Sequence, residues 1–205
     1  MAGRTIAVVG HGPSLAGRQL GSEIDRADLV VRMKWHRDLT SRPEIFGSRT
    51  DIAASSFTVA KRLPELWPDV TQFIVAHDSR TYSVSAEQEN AVLAIFQKNK
   101  AFSLWMDKAL CLFWDGIYRG LASRDDEPHT SSGFHVLMFL GKYFPSSKVR
   151  LYGFDSMLSG NWTWSLTRGP DWEKYPKHRF DIEKQMLGML RAAYDIEFSA
   201  GGCRI

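Results

Sequence analysis

The chain has 205 residues, of which 44% are apolar and 24% charged, the composition of an ordinary globular protein. Its formal net charge of +3 is too small to indicate a nucleic-acid-binding surface. No run of about 18 apolar residues predicts a membrane span. Two cysteines, Cys111 and Cys203, are too few for a disulfide framework. We therefore expect one domain over 1–205 in a reducing compartment.

Short apolar runs alternate with amphipathic stretches along the chain. In order, the runs predict strands over 5–9, 28–33, 50–54, 72–76 and 148–154, with an edge strand over 194–198. Apolar residues three and four apart predict helices over 87–98, 104–121, 134–144 and 180–193. The polar stretch 122–128 predicts a mobile loop, and 156–177 an irregular functional segment. The alternation predicts an α/β fold with a mainly parallel twisted sheet flanked by helices.

The first predicted strand runs into a turn that contains Gly10, His11, Gly12 and Ser14. Backbone N–H groups of such a turn can cradle a phosphate or a nucleotide, although a plain tight turn explains the glycines equally well. The turn begins like a dinucleotide fingerprint, but Leu15 stands at the third glycine position. Lys34 follows the second strand, where an NAD site requires an acidic residue. An NAD-binding domain is therefore disfavoured, while a phosphorylated cofactor stays open as an alternative.

Two later segments are further candidates for a site. Ser131, Ser132 and Gly133 open an apolar helix, where hydroxyls, free N–H groups and the helix dipole suit a phosphate; an ordinary N-cap is the alternative. His178, five residues before Glu183, is a candidate base with a supporting carboxylate, or only part of a helix start. No spacing such as His-x-x-x-His or Cys-x-x-Cys occurs, so we expect no metal.

In this order, the segments resemble the sialyltransferases of glycosyltransferase family 29. VVGHGPSLAG, GSEIDRADLVVRMK and FGSRTDI, over 8–17, 21–34 and 46–52, resemble that family's large sialyl motif. The stretch SSGFHVLMFLGKYFPSSKVRLYGFD over 131–155, followed by Asn161, resembles the small motif, and His178 with Glu183 matches the very small motif.

The chain also departs from the family pattern in three places. His11 or Gly12 and Lys34 stand where members usually carry asparagine, and the third motif's histidine is absent from 163–165. His129 and Lys34 are candidates to replace that histidine beside the departing phosphate. The cysteine pair of animal members is missing, which fits a bacterial-type cytoplasmic protein. Peripheral contact with the inner membrane through a lipid-linked acceptor stays open as an alternative.

The resemblance implies a single Rossmann-like domain, a variant of the GT-A type, and metal-independent, inverting transfer of a sialic acid. The donor is a CMP-sugar, the acceptor a glycan or glycolipid hydroxyl, and neither a cofactor nor a nucleic acid takes part. His178 is implied as the general base with Glu183 beside it, and the loop 122–128 is expected to close over the donor. The implied donor-binding residues are Gly10, His11, Gly12, Ser14, Lys34, His129, Ser131, Ser132, Gly133, Gly153 and Asn161.

Two alternatives stay open beside this reaction. Kdo is also a CMP-activated 2-keto acid, and residues that hold CMP do not distinguish it from sialic acid. A non-catalytic nucleotide-binding homologue is the second alternative, because the third motif lacks its histidine.

Overall fold

The computed structural model describes residues 3–33, 41–76, 84–122, 130–160 and 179–201. The strands within these ranges are β1 (Thr5–Val9), β2 (Leu29–Met33), β3 (Ile52–Ser56), β4 (Gln72–Ala76), β5 (Phe102–Trp105), β6 (Lys148–Tyr152) and β7 (Glu197–Ala200). They form one sheet in the order β5-β4-β3-β2-β1-β6-β7, and every neighbouring pair is parallel. The prediction of an α/β fold with a mainly parallel sheet is confirmed.

The helices of the described residues are α1 (Gly21–Asp25), α2 (Pro43–Phe46), α3 (Phe57–Ala60), α4 (Leu63–Leu66), α5 (Ala86–Lys98), α6 (Lys108–Ala122), α7 (Ser132–Tyr143), α8 (Asp155–Ser159) and α9 (Phe180–Tyr194). Ser85 begins α5 through a capping box with Gln88, and Ser131 caps α7. No helix in the described part of the chain combines the length and the apolar character that crossing a membrane requires.

The central strands β1, β2 and β4 are buried on both faces, which explains why their sequences are nearly continuous apolar runs. Alternate residues such as Ile6 and Val8 pack against α6, α7 and α9 on one face. The residues between them, such as Ala7 and Val9, pack against α1 and α2 on the other face, and α3 to α5 cover β3 and β4 there.

The strand order reverses at β1, because the chain builds β2 to β5 on one side of it and β6 and β7 on the other. The connections that follow β1 and β6 therefore diverge, and the crevice that such a divergence creates is expected outside the carboxyl ends of these two strands. Ligands of open α/β sheets bind at such a point. The topology thus places the residues after Val9 and after Tyr152 at the expected binding position.

Several predicted boundaries are wrong, among them that of the edge strand expected over 194–198, which is β7, Glu197–Ala200. The helix expected over 104–121 begins only at Lys108, since Phe102–Trp105 pair with β4 as the edge strand β5. Leu104 continues the helix-like spacing of the apolar residues that follow it, but pairing with the neighbouring strand β4 outweighs that local pattern. The irregular segment expected from 156 begins instead with helix α8, Asp155–Ser159, and its remainder from 161 lies outside the described residues.

Strand β3 begins two residues later than predicted because polar side chains before it serve the adjoining elements. The buried guanidinium of Arg32 on β2 donates from Nε to Thr50 Oγ1 at 2.9 Å and from Nη2 to the Phe46 carbonyl at 2.8 Å. Burial lowers the pKa of Arg32 to about 10, and the charge of Asp25 opposes that shift. Asp25 also accepts from the N–H groups of Ser48 and Arg49. These hydrogen bonds connect the segment 21–33 to the segment 46–52.

Candidate functional site

The turn after β1 is joined to the turn after β6 across the crevice. The N–H of Gly10 donates to the Tyr152 carbonyl, and the N–H of Gly12 donates to the Gly153 carbonyl, each at 2.7 Å. A Cβ added to Gly10 would lie 2.6 Å from the Gly153 carbonyl oxygen, and Gly153 itself has φ of +67°. Both glycines are therefore required by close approach of the two backbones.

Further along the same turn, the backbone N–H groups also have protein acceptors. The N–H of Ser14 points to Oδ2 of Asp155 at 3.4 Å, and that of Leu15 to the Gly12 carbonyl at 3.4 Å. A Cβ added to Gly12 would lie 1.6 Å from Asp155 Oδ2, so the carboxylate rests directly on this glycine. In this structure, partners more than 140 residues away along the chain accept hydrogen bonds from the N–H groups of Gly10, Gly12 and Ser14. Donor binding by these three residues stays a prediction.

Helix α7 presents an open N-terminus beside this turn. Oγ of Ser131 accepts from the N–H of Phe134 at 3.2 Å, as an N-cap does. Within the described ranges, no protein group accepts a hydrogen bond from the N–H of Ser132 or Gly133, and both residues are partly exposed. The positive end of a twelve-residue helix is thus available to an anion.

The ring of Phe154, just after β6, connects the two halves of the site. A Cβ on Gly10 would lie 3.0 Å from one edge of this ring, and a Cβ on Gly133 would lie 3.0 Å from another. The glycine turn and the start of α7 therefore pack on the same aromatic side chain. The structure brings together the sequence-predicted Gly10, Gly12, Ser14, Ser131, Ser132, Gly133 and Gly153, with His11 between the two glycines.

Glu183, in the first turn of α9, holds the residue that caps α7. Its Oε1 accepts from the N–H of Ser131, and its Oε2 accepts from the Ser131 hydroxyl at 2.9 Å. Burial raises the pKa of this carboxyl to about 7; the two bonds from Ser131 act in the opposite direction, and the charge of Asp115 adds to the rise. Through these contacts Glu183 is a positioning residue for the start of α7.

A second buried polar cluster, absent from the sequence predictions, holds the preceding residue. Thr130 donates to Asp115 Oδ1 on α6 through both its N–H, at 3.3 Å, and its hydroxyl. Because that hydroxyl carries one proton, Nε2 of His135 must donate to Thr130 Oγ1, from which it lies 2.9 Å. The sequence feature that could have revealed this cluster is the presence of an acidic residue, Asp115, and a histidine, His135, on otherwise apolar helix faces.

The start of α9 is anchored beside α6 as well as α7. The N–H of Arg179 donates to Tyr118 Oη at 2.6 Å, and burial is the main cause that raises the pKa of this phenol above its usual range. Arg179 and Glu183 therefore tie both ends of the first turn of α9 into the region of Thr130 and Ser131.

A pair of hydroxyl groups that is not among the sequence-predicted site residues lies at the carboxyl end of β3. Ser56 Oγ and Thr58 Oγ1 are 2.9 Å apart, and Ser55 beside them is buried. The sequence feature that could have revealed this pair is the run of polar residues at the end of the buried strand β3.

Four of the predicted site residues, Lys34, His129, Asn161 and His178, lie outside the described residues, as does the loop 122–128 beyond Ala122. Their roles stay predictions. Among the residues that are described, no group of three or more His, Cys, Asp or Glu side chains is arranged to hold a metal ion.

Comparison with known proteins gives relatives in sequence and in fold. No protein-family model matches the chain. Two curated proteins, from Mus musculus and Rattus norvegicus, each named CMP-N-acetylneuraminate-beta-galactosamide-alpha-2,3-sialyltransferase 2, are 26% identical to it over 204 residues. The match covers 97% of this chain and 57% of theirs, so the chain spans little more than half the length of these relatives.

Solved structures show the same architecture. A mammalian sialyltransferase superposes with a TM-score of 0.60 at 21% identity, over 97% of this chain and 70% of its own. An alpha-2,3-sialyltransferase from Campylobacter jejuni, in apo form, superposes with a TM-score of 0.58 at 16% identity, over 97% of this chain and 75% of its own. These likenesses show a shared fold.

Proposed function

We propose, from the premise that this chain belongs with the sialyltransferases, that it transfers a sialic acid from a CMP-linked donor to a glycan hydroxyl. The observation that carries the proposal is the open N-terminus of α7, which meets the glycine turn at the switch point of the sheet. The sequence relatives are named for this reaction, and both halves of the site come from the segments that resemble the family's motifs.

The phosphate of CMP would bind at the start of α7. The N–H groups of Ser132 and Gly133 and the helix dipole supply positive partial charge there, and the Ser132 hydroxyl adds a donor. The same groups would stabilise the negative charge that grows on the phosphate as its bond to the sugar breaks. Backbone donors would then do what a divalent ion does in other sugar transferases, which is our reason to propose a metal-independent reaction.

We assign the general base to His178. An imidazole with a reference pKa of about 6.5 is largely neutral at pH 7 and can accept the proton of the acceptor hydroxyl. The next residue, Arg179, is anchored to Tyr118, and Glu183 is bound to Ser131, so the start of α9 lies beside the proposed phosphate position. The acceptor oxygen would bond to the anomeric carbon on the face opposite the departing CMP, which inverts that centre.

The first experiment is a calorimetric titration with CMP in the presence of a chelator, with NAD as the comparison ligand. Binding of CMP in the micromolar to submillimolar range, and no binding of NAD, is the expected result. Absence of CMP binding would remove the transferase proposal. A panel of CMP-sialic acid and CMP-Kdo then identifies the sugar, and CMP binding with neither transfer nor donor hydrolysis would indicate a non-catalytic homologue.

Two variants separate the proposed roles. His178→Ala should lower turnover by about a hundredfold or more, with CMP affinity nearly unchanged, since a base acts on the acceptor. Ser132→Ala should weaken CMP binding, because it removes a donor beside the phosphate. Unchanged turnover in the first variant would take the base role from His178, and unchanged CMP affinity in the second would place the phosphate elsewhere.

A further inference from the structure

Each of the two residues before helix α7 is held twice by one buried carboxylate. The N–H and the hydroxyl of Thr130 both donate to Asp115 on α6. The N–H and the hydroxyl of Ser131 both donate to Glu183 on α9. The two acidic residues are 2% and 0% exposed, so water does not compete for these four bonds. Two different helices thus fix two consecutive residues at the point from which α7 starts.

The hydroxyl of Thr130 also connects this attachment to the first turn of α7. Nε2 of His135 donates to that hydroxyl across 2.9 Å, and the backbone N–H of His135 donates to the Ser131 carbonyl at 3.1 Å. Thr130 and His135 are both completely buried. Asp115, Thr130 and His135 therefore form one continuous chain of hydrogen bonds from α6 into α7.

These three residue types also occur in nucleophilic relays, but the geometry here does not suit that chemistry. A nucleophile must reach its substrate, and Thr130 is buried. Its one hydroxyl proton is donated to Asp115 rather than to His135, whereas an activated nucleophile donates its proton to the base. The chain of hydrogen bonds instead acts on a reaction through the position of the backbone that it holds.

The backbone held in this way leads directly to the open donors of α7. The N–H groups of Ser132 and Gly133, which the proposed function assigns to the phosphate, follow Thr130 by two and three residues. A preorganised donor stabilises developing charge only where it already points at the reacting oxygen, and a displacement of about 1 Å can cost about a hundredfold in rate. A shift at Thr130 would therefore reach the groups that act on the departing phosphate.

We propose that Asp115 and His135 are positioning residues for the transfer reaction. Acting through Thr130, they direct the open N–H groups at the start of α7 toward the departing phosphate. Neither residue is among the sequence-predicted site residues. The inference rests on the proposed function, because it takes the start of α7 to be the phosphate site.

The test measures turnover of CMP-sialic acid and, separately, the phosphorus NMR shift of bound CMP, which reports the hydrogen bonds to its phosphate. Asp115→Asn keeps the shape and one acceptor oxygen but replaces charge-assisted hydrogen bonds by weaker neutral ones. Asp195→Asn is the matched control, because Asp195 also accepts from a hydroxyl, that of Ser146 at 3.2 Å, and loses the same charge. Asp195 precedes β7, at the amino ends of the strands and away from the expected crevice.

Asp115→Asn should lower kcat by about tenfold or more and move the phosphorus shift of bound CMP, with a much smaller change in the KM for the donor. A misdirected donor weakens the transition state more than it weakens the bound ground state. Asp195→Asn should match the wild-type protein in all three measurements.

Variants of the other two residues test the connection and decide the matter if Asp115→Asn fails to fold. Thr130→Val removes the hydroxyl and should lower kcat in the same way, whereas Thr130→Ser keeps it and should restore most of the rate. Adding Asp115→Asn to Thr130→Val should cause little further loss, because both changes break the same connection. His135→Leu, which removes a donor at similar volume, should lower kcat more than His135→Gln, which keeps one.

Three results would overturn the proposal, and they are distinguishable. If the wild-type protein binds no CMP, the proposed function fails and this inference fails with it. If CMP binds but neither kcat nor the phosphorus shift responds to Asp115→Asn or Thr130→Val, the cluster only stabilises the fold, and this inference alone fails. If Thr130→Ser is as slow as Thr130→Val, the hydroxyl is not the connection. A protein that binds CMP without transfer is judged by the phosphorus shift.

Discussion

Replacing Glu183 with glutamine should change how the stability of the protein depends on pH. The glutamate side chain is buried, and burial raises its pKa from 4.5 to about 7 in the folded state. Glutamine has nearly the same shape, and its amide oxygen still accepts one of the two bonds from Ser131. It carries no charge at any pH, so comparison of the two proteins isolates the titration of this one group.

The sign follows from proton linkage. Between pH 4.5 and 7 the folded state binds more protons at Glu183 than the unfolded state does, so wild-type stability falls as pH rises through this window. A pKa moved from 4.5 to about 7 corresponds to about 3 kcal/mol. The contribution is complete below pH 4.5 and is lost above pH 7.

The assay is urea denaturation of both proteins at intervals from pH 4 to 8.5, with the difference in unfolding free energy plotted against pH. We expect this difference to move in favour of the variant by up to about 3 kcal/mol as pH rises, and to level off above pH 7. Glu197→Gln, at an exposed position on the edge strand β7, is the control and should show no such change.

A difference that stays constant across the window would show that burial of Glu183 does not perturb its proton affinity. A difference of opposite sign would show that the two bonds from Ser131 outweigh burial and hold the carboxyl ionised. Either result would refute the assignment of a raised pKa to Glu183 in the folded state.

The remaining predictions concern the elements around the crevice. Thr130→Val should lower the free energy of unfolding by about 1–3 kcal/mol, because Asp115 and His135 lose the hydroxyl between them. Thr130→Ser keeps that hydroxyl and should recover most of the lost stability. Equal losses for the two variants in urea denaturation would assign the effect to packing. Gly10→Ala should cost about 1–3 kcal/mol and weaken CMP binding, since its Cβ would meet the Gly153 carbonyl. Gly116→Ala, on the open face of α6, should instead gain about 0.5–1 kcal/mol, and a loss there would contradict the assignment of that face as unobstructed.

Local patterns along the chain predicted most of the scaffold. The buried strands β1 and β4 match their predicted bounds, because a parallel strand covered on both faces is a short, continuous apolar run between turn residues. The cap at Ser131 was equally readable, because a hydroxyl before an apolar helix satisfies its first N–H groups. The edge strand β5 could not be predicted from its local sequence, since its conformation depends on pairing with β4.

In the candidate site, too, local sequence patterns determined some features and tertiary contacts determined others. The sequence by itself indicated which segments form the candidate site, because the glycines and the helix start each form a recognisable local pattern. Only the tertiary structure decided which groups these segments contact. The N–H groups of the glycine turn are bonded by residues after β6, and Glu183 holds Ser131 from 52 positions away. Such partners are chosen by the packing of distant elements, which no local pattern records.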